Sequence, residues 1–106
     1  MKIYTYYNKL NSWNHDDQRQ MLLLWEKSWK KKGFEPIILT QKDAKKHNFY
    51  EEFDNKIKSL CSEISGKKIS QYGMSCWHRW LAYAAQGLEV PFYVSDYDII
   101  NYNFNL

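Results

Sequence analysis

Proline, glycine, cysteine and arginine are all scarce in this chain of 106 residues, which has two Pro, four Gly, two Cys and two Arg. So little Pro and Gly excludes a low-complexity or disordered segment. The chain is 44% hydrophobic and 25% charged, which is typical of a globular protein. Its length predicts a single domain over residues 1–106.

The few cysteines and arginines also narrow the class of protein. Cys61 and Cys76 match neither a zinc spacing nor a disulfide framework, so we expect reduced thiols and a cytoplasmic protein. No apolar run is long enough to span a membrane, and the N-terminus does not have the pattern of a signal peptide. With two Arg and a net charge of +3, a dedicated nucleic-acid binder is excluded. A weakly positive chain suits small anionic ligands.

Three segments rich in β-branched and aromatic residues predict strands. They are Lys2–Tyr7, Glu35–Thr40 and Val90–Val94. The second strand carries an uninterrupted apolar run, which predicts burial on both faces, as in parallel sheets. A first helix with Trp25 and Trp29 on one face, closed by Gly33, separates the first two strands.

Further helices are predicted between the second and third strands. Asp43 is expected to cap a short helix over residues 44–47, and Ser70 a long one. Between them lies an amphipathic helix over residues 49–64. In the long helix we expect Trp77 and Trp80 to pack in the core. The order β-α-β-α-α-β predicts the beginning of a Rossmann-like, doubly wound and mainly parallel sheet with flanking helices.

An acidic pair, Asp96 and Asp98, directly follows the third strand. Open α/β sheets bind ligands at the carboxyl ends of their strands. On an extended backbone both carboxylates point to the same side, while Tyr97 points away and packs. The acids can then share a divalent cation whose other ligands are phosphate oxygens. The pair therefore predicts a metal–phosphate site, although two acids at a strand end can also form an ordinary turn.

Four segments together resemble the glycosyltransferases of the GT-A fold that carry a DxD motif. These segments are residues 2–7, residues 25–40, the helical Cys-Trp-His-Arg-Trp-Leu-Ala of residues 76–82, and residues 92–100 with Asp-Tyr-Asp. The resemblance implies a GT-A type of Rossmann-like fold and a UDP- or GDP-linked sugar donor. It also implies a Mn²⁺ or Mg²⁺ cofactor and transfer of the sugar to an unknown acceptor.

The resemblance also implies residue roles on the nucleotide side of the site. The end of the first strand touches the base in such enzymes, which here would be Thr5, Tyr6 or Tyr7. The end of the second strand, Thr40, would lie nearby. These four residues are therefore expected to bind the nucleotide sugar.

On the phosphate side, the resemblance assigns Asp96 to the ribose or to a metal-bound water, and Asp98 to the metal itself. Arg79, on the helix before the acidic strand, would hold the acids or the phosphates. Such enzymes continue for another domain-sized stretch that carries the acceptor site. We therefore expect this chain to be a truncated, N-terminal nucleotide-sugar-binding half, and the catalytic residue of such an enzyme is not identified.

Two other classes of function remain open from the residues. A phosphohydrolase of the haloacid dehalogenase type also places Asp-x-Asp after an apolar strand, and it uses the first Asp as a nucleophile. In that class a downstream Lys and a second acidic pair are needed. A non-catalytic interaction domain is the other alternative, and in it the acidic pair would be incidental.

Overall fold

The computed structural model describes residues 1–10, 15–87 and 92–105 of the chain. Within them it forms three strands and four helices. They are β1 (Lys2–Tyr6), α1 (His15–Lys30), β2 (Glu35–Leu39), α2 (Gln41–Lys45), α3 (Tyr50–Ser65), α4 (Gln71–Ala84) and β3 (Tyr93–Val94). Two compact units result. The sheet unit is Met1–Leu39 with Glu89–Leu106, and the helical unit is Thr40–Leu88.

The sheet has the strand order β2-β1-β3, and both pairs of neighbouring strands are parallel. This confirms the α/β class and the predicted parallel sheet. Residues 3–6 of β1 are all buried, so β1 is the strand covered on both faces. The same expectation for β2 is wrong, because Pro36, Ile37 and Ile38 are only half-buried. Within the described residues β2 lies at an edge of the sheet, whereas β1 lies in its centre.

Helix α1 carries the core of the sheet unit. Its predicted aromatic stripe is confirmed, since Trp25 and Trp29 are buried and pack with Ile3 and Phe34. The acidic first turn and basic last turn of α1 complement the helix dipole. After the helix, Gly33 has a φ of +90°, the left-handed conformation that its position predicted.

Helix α2 begins earlier than predicted. Thr40 is its N-cap residue, and the Thr40 backbone N–H donates to the Asp43 carboxylate at 2.8 Å. Asp43 is therefore the third residue of the helix, where its carboxylate receives the N–H of the capping residue. The predicted cap of α4 is confirmed, because the Ser70 hydroxyl accepts a hydrogen bond from the Gly73 N–H at 2.9 Å.

Helices α3 and α4 leave many apolar side chains in contact with solvent. No residue of α3 is buried. The prediction that Trp77 and Trp80 pack in the core is wrong, since they are 45% and 52% exposed. Along α4 the buried apolar positions are instead Met74, Leu81, Ala82 and Tyr83. The helix therefore turns a different face inward than the one that carries its tryptophans.

Two further expectations concern cross-links and membranes. Cys61 and Cys76 are both free thiols, as their spacing predicted. Among the helices of the described ranges, none combines the length and the apolar character needed to cross a membrane. The chain segment at 90–91, which was predicted to start the third strand, lies outside the described residues.

Candidate functional site

The acidic pair lies at the carboxyl end of β3, where the chain leaves the sheet. The Ser95 N–H still donates to the Tyr4 carbonyl at 2.9 Å, which continues the pairing of β3 with β1 by one residue. The backbone then turns, and the Ile99 N–H donates to the Asp96 carbonyl at 3.1 Å. We call residues 96–99 the acidic turn. Both of its carboxylates, on Asp96 and Asp98, belong to exposed residues.

The acidic turn differs from the extended backbone that the sequence predicted around these acids. A β-turn places its first and last residues close together, so the strand rule that alternate side chains share a side no longer applies. Asp is a frequent turn former because its side chain bonds to nearby backbone groups. The position of the two acids at a strand end was predicted correctly. Their local backbone conformation was not, because it depends on where the pairing of β3 with β1 stops.

Tyr97, between the two acids, packs into the sheet unit as predicted. Its ring packs against the core cluster and meets the Tyr7 ring edge-on, with the ring centres 5.6 Å apart. Its hydroxyl donates to Gln18 Oε1 on α1 at 2.7 Å. Tyr97 therefore connects the acidic turn both to the end of β1 and to the first turns of α1.

The three candidate residues at the end of β1 differ in their exposure to solvent. Thr5 is fully buried, Tyr6 is 8% exposed and Tyr7 is half-buried. By strand alternation Thr5 and Tyr7 lie on the face of Ile3, and Tyr6 lies on the other. Of the three, Tyr7 presents the most surface and is the one that contacts Tyr97. Tyr7 therefore lies beside the acidic turn.

Thr40 and Arg79 belong to the helical unit, whereas both acids belong to the sheet unit. Thr40 caps α2, so it has a structural role there. The Arg79 guanidinium lies over the Trp80 ring, with its central carbon 5.0 Å from the ring centre. That arrangement is a cation–π contact, which keeps the charge near an aromatic face.

A divalent cation at the acidic turn would find few protein ligands. Within residues 1–10, 15–87 and 92–105, no three His, Cys, Asp or Glu side chains converge in a metal-binding group. Two exposed carboxylates fit a cation that takes only one or two protein ligands, as Mg²⁺ does when phosphate oxygens and water complete its shell. The residues therefore fit a metal that arrives with a phosphate ligand better than a metal bound by protein alone.

A polar network around the buried His78 of the helical unit was not predicted from the sequence. Asp54 on α3 accepts from His78 Nε2 on α4 at 2.7 Å and from Lys58 Nζ at 2.8 Å. The ring of Tyr50 lies 4.9 Å from that of His78, which is 4% exposed. The i,i+4 spacing of Asp54 and Lys58 was visible in the sequence. The partner of His78 was not, because it lies 24 residues away.

The charge of Asp54 is stabilised by its two partners. Burial alone would raise the pKa of this carboxyl, but the hydrogen bonds and charges of Lys58 and His78 outweigh it and lower the pKa. The same contact raises the pKa of Lys58. This network gives His78 a structural role, since it ties α3 to α4.

Together, the fold and the site define a small α/β protein with a parallel sheet and an acidic turn at a strand end. A family described as a domain of unknown function (DUF8765) matches residues 1–88, and the chain belongs to that family. The match includes the ends of β1 and β2 and helix α4, and it stops before Asp96 and Asp98. No curated protein and no solved structure matches the chain.

Proposed function

We propose that the sheet unit binds a nucleotide-diphosphate sugar together with Mn²⁺ or Mg²⁺, in the manner of a GT-A-type, Rossmann-like glycosyltransferase. The observation that carries this proposal is the place of the two exposed acids. They follow β3 at its carboxyl end, and Tyr97 between them contacts Tyr7 just after the parallel neighbour β1. Carboxyl ends of adjacent parallel strands are where open α/β sheets bind nucleotides.

Within this proposal, Asp98 holds the cation and Asp96 contacts the ribose or a metal-bound water. The cation, when bound, neutralises charge on the diphosphate that departs from the sugar. Tyr7 is the residue of the β1 end with the most surface for a base, and Tyr6 and Thr5 contribute mainly the backbone behind it. Aromatic rings bind bases by stacking, which needs an accessible face.

This proposal rests on residues of the sheet unit. Thr40 and Arg79 belong to the helical unit, and their part in nucleotide binding stays a prediction of the GT-A resemblance. The acceptor of the sugar is not identified.

A thermal-shift titration with Mn²⁺ and a panel of nucleoside diphosphates tests the proposal. A ligand at a hundred times its dissociation constant stabilises the folded state by about 2.7 kcal/mol. We expect a shift when Mn²⁺ and a nucleoside diphosphate are present together and little shift with Mn²⁺ alone, because the protein offers only two carboxylates. Asp98→Asn should abolish the shift, since asparagine keeps the turn but loses the charge.

Glu63→Gln is the matched control, because Glu63 is an exposed acid far along the chain on α3. It should leave the titration unchanged. Absence of a shift with every nucleotide would refute the proposal, and so would an equal shift in Asp98→Asn. Release of phosphate from an aryl phosphate, lost in Asp96→Asn, would favour the phosphohydrolase alternative instead.

An interaction domain is the second candidate function, and the surface of the helical unit favours it. Large exposed apolar residues occur in both units, and six of them lie on α3, on α4 or next to α3. These six are Phe49, Leu60, Ile64, Tyr72, Trp77 and Trp80. Exposed apolar surface of this kind marks protein-binding faces in soluble proteins. This candidate predicts that no nucleotide changes the stability of the chain with or without Mn²⁺.

A further inference from the structure

We propose that Tyr97 and Gln18 form a positioning pair that holds the acidic turn ready for its ligand. This inference rests on the proposed function, because it concerns the same two acids. Neither residue is assigned a contact with the ligand. Their role is to fix the backbone from which Asp96 and Asp98 extend.

Three hydrogen bonds fasten the chain around the acidic turn to helix α1. The Tyr97 hydroxyl donates to Gln18 Oε1 at 2.7 Å. Two residues later the Ile99 carbonyl accepts from Trp29 Nε1 at 3.3 Å. After another two residues the Asn101 N–H donates to Ser28 Oγ at 3.0 Å. Residues 97, 99 and 101 are thus all bonded to helix α1, and two of them flank Asp98.

Tyr97 is the residue of this series that lies between the two acids. Asp96 and Asp98 are exposed, so burial does not restrain their backbone, whereas Tyr97 between them is half-buried. Its ring is fixed edge-on by Tyr7, and its hydroxyl is fixed by Gln18. Restraining the middle residue of a tripeptide restrains the direction in which both neighbours point.

A turn that is already ordered binds more tightly than one that must be ordered on binding. The conformational entropy is lost during folding, so less of it opposes ligand association. Functional side chains are usually held in this way by neighbours that do not touch the ligand. Helix α1 has this function for the acidic turn, and the Tyr97–Gln18 bond connects the helix to the residue between the two acids.

Tyr97→Phe and Gln18→Ala test the inference, because each removes one side of the same hydrogen bond. Tyr97→Phe keeps the ring contact with Tyr7. One net hydrogen bond corresponds to about fivefold in an equilibrium. We expect each variant to weaken binding of the Mn²⁺–nucleoside diphosphate by about that factor. The double variant should lose no more than either single one, since the two residues act through one bond.

Ser28→Ala is the matched control. It removes the hydrogen bond to Asn101, at the far end of the series. We expect it to lower the free energy of unfolding about as much as Tyr97→Phe or Gln18→Ala, but to weaken ligand binding less than twofold. A second readout is independent of any ligand. Backbone amide exchange at Ile99 reports the hydrogen bond that closes the acidic turn, and it should speed up in Tyr97→Phe and Gln18→Ala but not in Ser28→Ala.

The outcomes separate the two proposals. If the unaltered chain binds the nucleotide and Tyr97→Phe binds it equally well, or if the two substitutions add, the positioning pair is refuted while the proposed function stands. If no nucleotide binds, the proposed function fails, and backbone amide exchange at Ile99 is then the one test of the positioning pair. Unchanged exchange in Tyr97→Phe then refutes the positioning pair, and faster exchange supports its hold on the turn.

Discussion

At the scale of single residues, Thr5 carries a polar group that the fold does not use. Its side chain is fully buried, and in the described part of the chain its hydroxyl has no hydrogen-bond partner. The indole N–H of Trp25 is in the same situation. A buried hydroxyl without a partner costs stability, because it gives up its bonds to water and receives nothing in return.

Thr5→Val should therefore raise the free energy of unfolding, by about 1 kcal/mol. Valine has nearly the same shape as threonine and replaces the hydroxyl by a methyl group. Urea unfolding at neutral pH measures the change. Thr5→Ser is the control, since it keeps the hydroxyl and loses a buried methyl group, so its stability should fall by about 1 kcal/mol. A loss of stability in Thr5→Val would mean that the hydroxyl is hydrogen-bonded in the folded protein.

The sequence predicted some capping residues correctly and one wrongly. Ser70 and Gly33 act within their own helix ends, so their local sequence was enough. The sequence predicts Asp43 as a cap, whereas in the structure Thr40 three residues earlier caps the helix and Asp43 accepts a hydrogen bond from the Thr40 backbone N–H. The two arrangements use the same residue types, and the position of the end of β2 decides between them.

At the scale of elements, α3 depends on polar contacts to an unusual degree. It buries no residue, yet it carries Asp54, whose carboxylate binds His78 on α4 and Lys58 within α3. A ring contact between Phe53 and Trp77, with centres 6.4 Å apart, adds to this. Helix α3 therefore depends on Asp54 more than a helix with a buried apolar face would.

Asp54→Asn should lower the free energy of unfolding by about 1.5 kcal/mol at neutral pH, because a charged hydrogen-bond acceptor is lost beside a buried imidazole. Chemical unfolding followed by circular dichroism measures this. Glu63→Gln, an exposed acid on the same helix, should change stability by less than about 0.5 kcal/mol. An equal effect of the two substitutions would contradict a special role for Asp54.

The contribution of Asp54 should also depend on pH in one direction. The pKa of Asp54 in the folded chain lies below its ordinary value of 3.8. Its contribution is therefore fully present above pH 3.8 and disappears as the pH falls through the lower, folded-state pKa. We expect the stability difference between the unaltered chain and Asp54→Asn to be smaller at pH 3 than at pH 5. A larger difference at pH 3 than at pH 5 would contradict this assignment.

At the scale of the whole molecule, the tryptophans of the described residues are divided between the interior and the surface. Trp25 is completely buried in the core cluster of the sheet unit, whereas Trp77 is 45% exposed. Small domains have unfolding free energies of about 5–15 kcal/mol. Loss of one large core side chain is therefore a considerable part of the total.

Trp25→Ala should lower the free energy of unfolding by about 3–5 kcal/mol, because it removes a large apolar side chain and leaves a cavity. Trp77→Ala should lower it by about 1 kcal/mol or less. Thermal unfolding of the two variants side by side measures the contrast. Similar losses would show that Trp77 is as well packed as Trp25, which its exposure contradicts.

The GT-A resemblance remains a prediction at this scale. The parallel sheet of three strands in the described residues agrees with it only at the level of the α/β class. The family match ends at residue 88, so it does not extend to Asp96 and Asp98. Ligand titration is therefore the measurement that decides the function.

The amino-acid sequence by itself determined the α/β class, the β1–α1–β2 order and the caps at Ser70 and Gly33. These follow from the periodicity of apolar residues and from the chemistry of helix ends, which act over a few positions. Tertiary structure alone decided that residues 96–99 form a turn, that Trp77 and Trp80 face outward, and that His78 pairs with Asp54. Each of these depends on which distant segments meet, and contacts between distant segments leave no periodic trace in the chain.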